Sequence, residues 1–234
     1  MRALVISGGG SKGAFAGGDA QYLMEREKHN SLWQFMRRRR TFGESKALRR
    51  HIRKHVTYEE YLKIRKEKHD VVVTVSNLSM NRVEYKSIQE CSYEEFCNWI
   101  WISCNYIPFM SLAKVDGYEY ADGGLGSVIP IREAIRRGAT EVDAIVLEAE
   151  TLGKQKVLGK NPFSLMISLF GHLLDQVEKN DIIIGKLAAK HRNVKLNLYY
   201  TPTSLTENSL IFSKRLMEKW WKEGYEYAEQ RHDQ

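Results

Sequence analysis

Residues 2–18 read RALVISGGGSKGAFAGG, and this stretch limits the fold more than any other. Residues 3–6 form a short apolar run that reads as a buried strand. Three glycines follow, then Ser11, Lys12 and Gly13, and residues 14–27 read as a helix. A strand that turns through glycines into a helix leaves backbone N–H groups unpaired at the positive end of the helix dipole. Such a turn suits a negative charge, either a phosphate or an oxyanion. The plain alternative is a glycine turn that only joins strand to helix. Three ordered glycines in a row weigh against it, because glycine loses the most conformational freedom on folding.

The same residues fit more than one template. Gly8, Gly10 and Gly13 have the spacing of a dinucleotide-binding turn. That reading needs an acidic residue at the end of a second strand about 20 positions on, where this chain is charged and helix-like. A nucleotide phosphate loop needs Gly-Lys-Ser/Thr, and the order Ser11-Lys12-Gly13 does not supply it. Residues Gly9 to Gly13 also match G-x-S-x-G, the pattern of a nucleophile elbow.

A second motif narrows the choice. Residues 118–126 read YEYADGGLG, with Asp122 at the end of a short apolar segment and Gly123 and Gly124 directly after it. An Asp-Gly-Gly turn is common alone. GGGSKG near the start and ADGG about 110 residues later, with WIWISCNYIPF at 99–109 leading toward the aspartate, together resemble the patatin-like phospholipase family. The resemblance spans roughly residues 1–150. It implies an α/β fold, a three-layer α/β/α sandwich around a central, mostly parallel sheet, with residues 1–234 as one domain. It implies a serine acyl hydrolase acting on phospholipid or other ester lipids through a Ser–Asp dyad, with no cofactor and no metal. In that scheme Asp122 is the base, Gly8, Gly9, Gly10, Ser11, Lys12 and Gly13 form the oxyanion loop, and Gly123 and Gly124 make the Asp-Gly-Gly turn.

The chain departs from the family at the nucleophile. The elbow is expected on a second strand soon after the first helix. Residues 24–33 read MEREKHNSLW, with no apolar β-run and no glycine. The only G-x-S-x-G is the one the resemblance assigns to the oxyanion loop, so the nucleophile is unassigned. Three explanations stand in order: the segment is missing from this chain, the protein is an inactive relative that binds lipid or anions, or Ser11 attacks. The first leads because removing a strand from inside a parallel sheet leaves backbone groups unpaired.

Composition sets wider bounds. At 234 residues, of which 43% are hydrophobic, the chain can bury a substantial core. Its formal net charge is +7. That balance favours anionic surfaces, such as phospholipid headgroups or nucleic acid, or equally marks an ordinary basic soluble protein; the resemblance implies peripheral contact with anionic membrane and no nucleic acid. Cys91, Cys97 and Cys104 lack metal-site spacing, and with no signal segment ahead of the first strand they read as reduced, inert thiols of a cytoplasmic protein. No apolar run approaches the 18 or so residues of a membrane span.

Further along, helices are expected at 46–55 and 58–68, strands at 71–75 and 82–87 paired through a turn at 77–81, and a strand at 144–147. Thr57 with Glu60, and Ser92 with Glu95, have capping-box spacing. Residues 161–189 read as a helix whose apolar face (Phe163, Met166, Leu169, Phe170, Leu173, Leu174) is expected to face the core, with membrane docking as the alternative. A strand is expected at 194–200 and a final helix at 208–230. Arg37 to Arg40 and the bases up to Lys68 make residues 37–68 the most electropositive stretch. None of the seven histidines follows a strand end on a turn, which favours a dyad over a triad.

Overall fold

The computed structural model describes residues 1–8, 45–105, 112–150, 162–205 and 213–232. Gly9, Gly10, Ser11, Lys12 and Gly13, the helix expected at 14–27, the arginine run at 37–40 and the end of the 99–109 segment lie outside them. The chain divides into two compact units, Met1–Asn30 with Val128–Gln234, and Ser31–Ser127.

The first unit is built on a parallel three-stranded sheet in the order β1 (Arg2–Ile6), β6 (Glu141–Ala149), β7 (Lys195–Thr201). β6 lies between the other two, whereas β1, expected to be buried, stands at the edge of this sheet among the described residues, with Val5 buried and Leu4 and Ile6 exposed. Six consecutive residues of it, Val142 to Leu147, are buried, as a central parallel strand requires on both faces. On one face Val142, Ala144 and Val146 join Val5 and helices α4 (Ile131–Arg136) and α5 (Pro162–Arg192) in the core. On the other, Ile145 and Leu147 meet Trp220 of α6 (Lys214–His232). Helices on both faces of a parallel sheet give the three-layer arrangement expected from the sequence.

Helix α5 does not use the expected face. Leu169 and Leu173 are exposed, and Phe170 and Leu174 are half-buried; the side chains of Phe163 and Met166 lie outside the described ones. The core side runs through Ile182, Ala188 and Ala189. Gly185 lies on that side. A Cβ there would stand 2.8 Å from Cβ of Ile131, so only glycine lets α5 lie this close to α4. The small residues turn their face inward, and the larger leucines remain outside.

The second unit holds an antiparallel sheet in the order β3 (Arg82–Ser87), β2 (Val72–Asn77), β5 (Tyr118–Asp122), β4 (Ala113–Val115). The β2–β3 hairpin matches the sequence reading. The β4–β5 hairpin was not anticipated. It turns on Asp116 and Gly117, both at positive φ (50° and 81°), which is the backbone that Asp-Gly supplies. α1 (Ser45–His55), α2 (Tyr58–Lys66) and α3 (Tyr93–Ser103) complete the unit. Both expected capping boxes are formed, at Thr57 with Glu60 and at Ser92 with Glu95. Trp99 and Ile102 of α3 pack on Val75 and Tyr120. No helix among the described residues is long and apolar enough to cross a membrane.

One polar group locks the parallel sheet. Asp143, 2% exposed, accepts from Arg2 Nε (2.6 Å), Asn197 Nδ2 (2.8 Å) and Tyr199 Oη (3.1 Å), so it ties β6 to both neighbours. Removing one partner of a buried charged network costs about 3 kcal/mol or more. Asp143→Ala is therefore expected to lower stability in urea unfolding by about that amount. Lys219→Ala, which deletes an exposed pair with Glu223, should change it by less than about 0.5 kcal/mol. Equal effects would remove Asp143 from its place as the lock.

Candidate functional site

Asp122 closes β5. Its backbone lies opposite Val75 of β2, and its N–H donates to Asn105 O (3.1 Å), just beyond α3. β5 therefore ends held on two sides. The next three residues, Gly123–Leu125, form one turn of 3-10 helix, and the Asp122 carboxylate caps it: Oδ1 accepts from Gly124 N–H at 2.7 Å. The carboxylate is thus fixed by its own turn.

Both glycines that bracket the turn are steric necessities. A Cβ on Gly123 would collide with the Thr74 carbonyl, standing 2.5 Å from its carbon. A Cβ on Gly126 would collide with a Val83 methyl. Ser127 N–H and Gly126 N–H both donate to Gly123 O, and Ser76 Oγ donates to the same oxygen at 3.4 Å. The turn is pressed onto β2 with no room between.

The charge environment of Asp122 sets it apart. Burial pushes its pKa up to about 6, and only the Gly124 N–H acts in the other direction. No cation contributes among the described residues. Glu84, 13% exposed at its side chain, is the contrasting case in the same unit: burial raises it, but Lys86, Asn77 and Arg82 outweigh that and hold it at about 2. At neutral pH Asp122 is still mostly ionised, yet about a hundredfold more basic than a free carboxylate. Cys104 is pushed up to about 11 by burial and by the Asp122 charge, so it is a protonated thiol and not a nucleophile. Burial raises Cys91 and Cys97 as well, as the reading of inert thiols expects.

In the other unit, β1 delivers the start of the glycine loop. Ser7 N–H donates to Ile145 O (3.0 Å), and Ser7 Oγ accepts from Leu147 N–H (3.0 Å). Gly8 N–H donates to Val128 O (3.2 Å). That amide is already engaged, so Gly8 anchors the loop and is not one of its donors. Gly9, Gly10, Ser11, Lys12 and Gly13 lie outside the described residues. Ser7 and Asn105 were missed by the sequence reading. Ser7 had one signal, its place as the polar end of an apolar strand. Asn105 acts through its backbone carbonyl, which no side-chain pattern reveals.

The pKa of Asp122 has a consequence for stability. A carboxyl whose folded pKa is raised favours the protonated state, so folding is least penalised below the unfolded value near 4. The penalty grows as pH rises to about 6 and is complete above it. A rise of about two pH units corresponds to about 3 kcal/mol. Asn keeps the acceptor for Gly124 N–H and carries no charge. Asp122→Asn is expected to be more stable than the wild type at pH 8, by up to about 3 kcal/mol, and equal to it near pH 4. A stability difference that does not vary with pH would contradict the raised pKa.

The comparisons agree with the motif reading. Residues 25–135, just under half of the chain, match the model of the patatin-like phospholipase family. No curated protein matches significantly. The matched stretch contains Asp122 with its Asp-Gly-Gly turn, and it begins after the glycine loop. The mixed α/β fold, with its parallel sheet between helices, accords with a patatin-like sandwich. Over residues 25–135 the chain is similar to the patatin-like phospholipase family.

Proposed function

We propose that the chain carries the base and the oxyanion loop of a serine acyl hydrolase that acts on phospholipid or other ester lipids. The observation that carries this reading is Asp122: a carboxylate capped by its own turn, without a cation among the described residues, and held near pKa 6. General-base catalysis works best when the base titrates near the working pH. In the proposed reaction Asp122 takes the proton of a serine hydroxyl as that oxygen attacks the ester carbonyl. The carbonyl oxygen becomes an oxyanion, and backbone N–H groups of Gly9, Gly10 and Ser11 receive it, with Lys12 adding positive charge. The alcohol leaves with a proton returned from Asp122, and water then releases the acyl group by the same path.

A second reading, a lipid- or anion-binding protein without turnover, is supported by residues 24–33, which hold no G-x-S-x-G. A fluorophosphonate probe, which labels activated serines, discriminates between these. The chain of 234 residues is expected to remain unlabelled at Ser11 and to hydrolyse p-nitrophenyl esters no faster than background. A longer form carrying the elbow should turn over, and Asp122→Asn in that form should reduce kcat by about 100-fold or more. Stoichiometric labelling at Ser11 would make it the nucleophile. Activity kept within about threefold in Asp122→Asn would remove Asp122 as the base.

The membrane contact also belongs to this proposal. Arg50, Lys54, Lys63 and Lys66 are exposed on α1 and α2. Each basic group near an anionic bilayer contributes about 1 kcal/mol, and salt screens it over about 10 Å. The protein is expected to co-sediment with phosphatidylserine vesicles at low salt and to be released near ~0.5 M salt. Replacing these four with Gln should weaken that binding. Equal sedimentation of both proteins would make the basic face an ordinary solvated surface.

A further inference from the structure

Asp181 lies on α5, half-buried, in a part of the chain to which no role has been given. Its Oδ2 accepts two adjacent amides, Val128 N–H at 2.7 Å and Ile129 N–H at 2.9 Å. These residues form the loop ahead of α4, and no side chain caps that helix from its own N-cap position, Pro130. Asp181, on a neighbouring helix, accepts instead from the two amides that precede that N-cap. It can reach because Gly185, one turn further along α5, lets the two helices approach at Ile131.

The second of these bonds reaches past the loop. Ile129 N–H and Val128 C=O belong to one peptide unit. A trans peptide is a rigid plane whose N–H and C=O point in opposite directions. Holding the N–H on Asp181 therefore aims the C=O away from α5. That carbonyl accepts from Gly8 N–H at 3.2 Å. The chain of contacts is Asp181 carboxylate, Val128–Ile129 peptide, Gly8 amide. A charged acceptor at one end polarises the peptide and strengthens the bond at the other. Gly8 is also in van der Waals range of the same residue, its Cβ position lying 4.0 Å from Val128 Cγ1. On its other side Ser7 is pinned to β6. The first glycine of the loop thus has two supports, and one of them depends on Asp181.

We propose that Asp181 is a positioning residue for Gly8, acting through the Val128–Ile129 peptide to set the Gly8 amide. Its importance for catalysis rests on the reading of the glycine loop as the oxyanion site. Its effect on Gly8 does not.

Amide hydrogen exchange followed by NMR on the full chain tests this without need of turnover. Three proteins are compared: wild type, Asp181→Ala and Asp181→Asn. Asn retains an oxygen that can accept both amides. In Asp181→Ala the Gly8, Val128 and Ile129 amides should exchange about tenfold faster or more, since a hydrogen bond to a charged group contributes about 1.5–3 kcal/mol. The amides of β1 and β6 should be unchanged. Asp181→Asn should restore most of the protection. The proposal falls if Gly8 exchange is the same in Asp181→Ala as in the wild type. It falls too if all sheet amides accelerate together, which marks a residue of general stability only. A chain that fails to hydrolyse esters bears on the proposed reaction and leaves this result standing.

Discussion

The Asp-Gly-Gly turn depends on one contact, the seating of Gly123 against the carbonyl of Thr74. No side chain fits between them. The contact presses the turn onto β2, and the turn's hydrogen bonds then place Gly124 N–H under the Asp122 carboxylate. The glycines of this motif are thus required by space and the aspartate by the amide it caps. Remove the close approach and the carboxylate loses its fixed direction, whatever its chemistry. The same logic appears in the other unit, where Gly185 admits α4 to α5 and so lets Asp181 reach a backbone it would otherwise miss.

Three carboxylates show how the same functional group is put to different uses by its neighbours. Asp143 is buried and accepts from Arg2, Asn197 and Tyr199, and its work is to hold three strands in register. Glu84 lies beside Lys86, Asn77 and Arg82, and those donors keep it ionised well below ordinary pH. Asp122 is enclosed with a single backbone donor and no cation among the described residues, and its pKa rises. A carboxylate used for structure is surrounded by donors that lower its basicity. One used as a base must be left short of them.

Much of this was legible in the sequence, for identifiable reasons. The β6 strand announced itself through a continuous apolar run, and both capping boxes through fixed spacing, because those features are local. The Asp122 turn was legible because Asp and Gly are turn formers, and the proposed role of its carboxylate came only from pairing that turn with the glycine loop. The face of α5 was misread because periodicity ranks apolar residues by size, whereas packing here was decided by Gly185, Ala188 and Ala189, which allow approach. The β4–β5 hairpin was overlooked although Asp116-Gly117 carried its signal. Asp181 could not be found at all. Its two acceptor bonds join residues 52 and 53 positions away, and nothing in the local sequence marks an acid in mid-helix as the partner of a distant loop's amides.

The chemistry of Asp122 bears on which functional reading the fold favours. As a cap, the side chain needs only an oxygen facing Gly124 N–H, and a neutral amide offers one. The negative charge adds nothing to that hydrogen bond that the turn requires, and its enclosure opposes folding at neutral pH by about 3 kcal/mol. A lipid-binding surface also gains nothing from it, since a buried anion repels anionic headgroups. Proton transfer is different. It needs a group that is ionised at neutral pH and still basic enough to accept a proton, and a carboxylate near pKa 6 meets both conditions. The part of the structure hardest to justify by stability is therefore the part on which the proposed catalytic role rests. For that reason the hydrolase reading stands ahead of the binding one, even though the attacking serine has yet to be assigned.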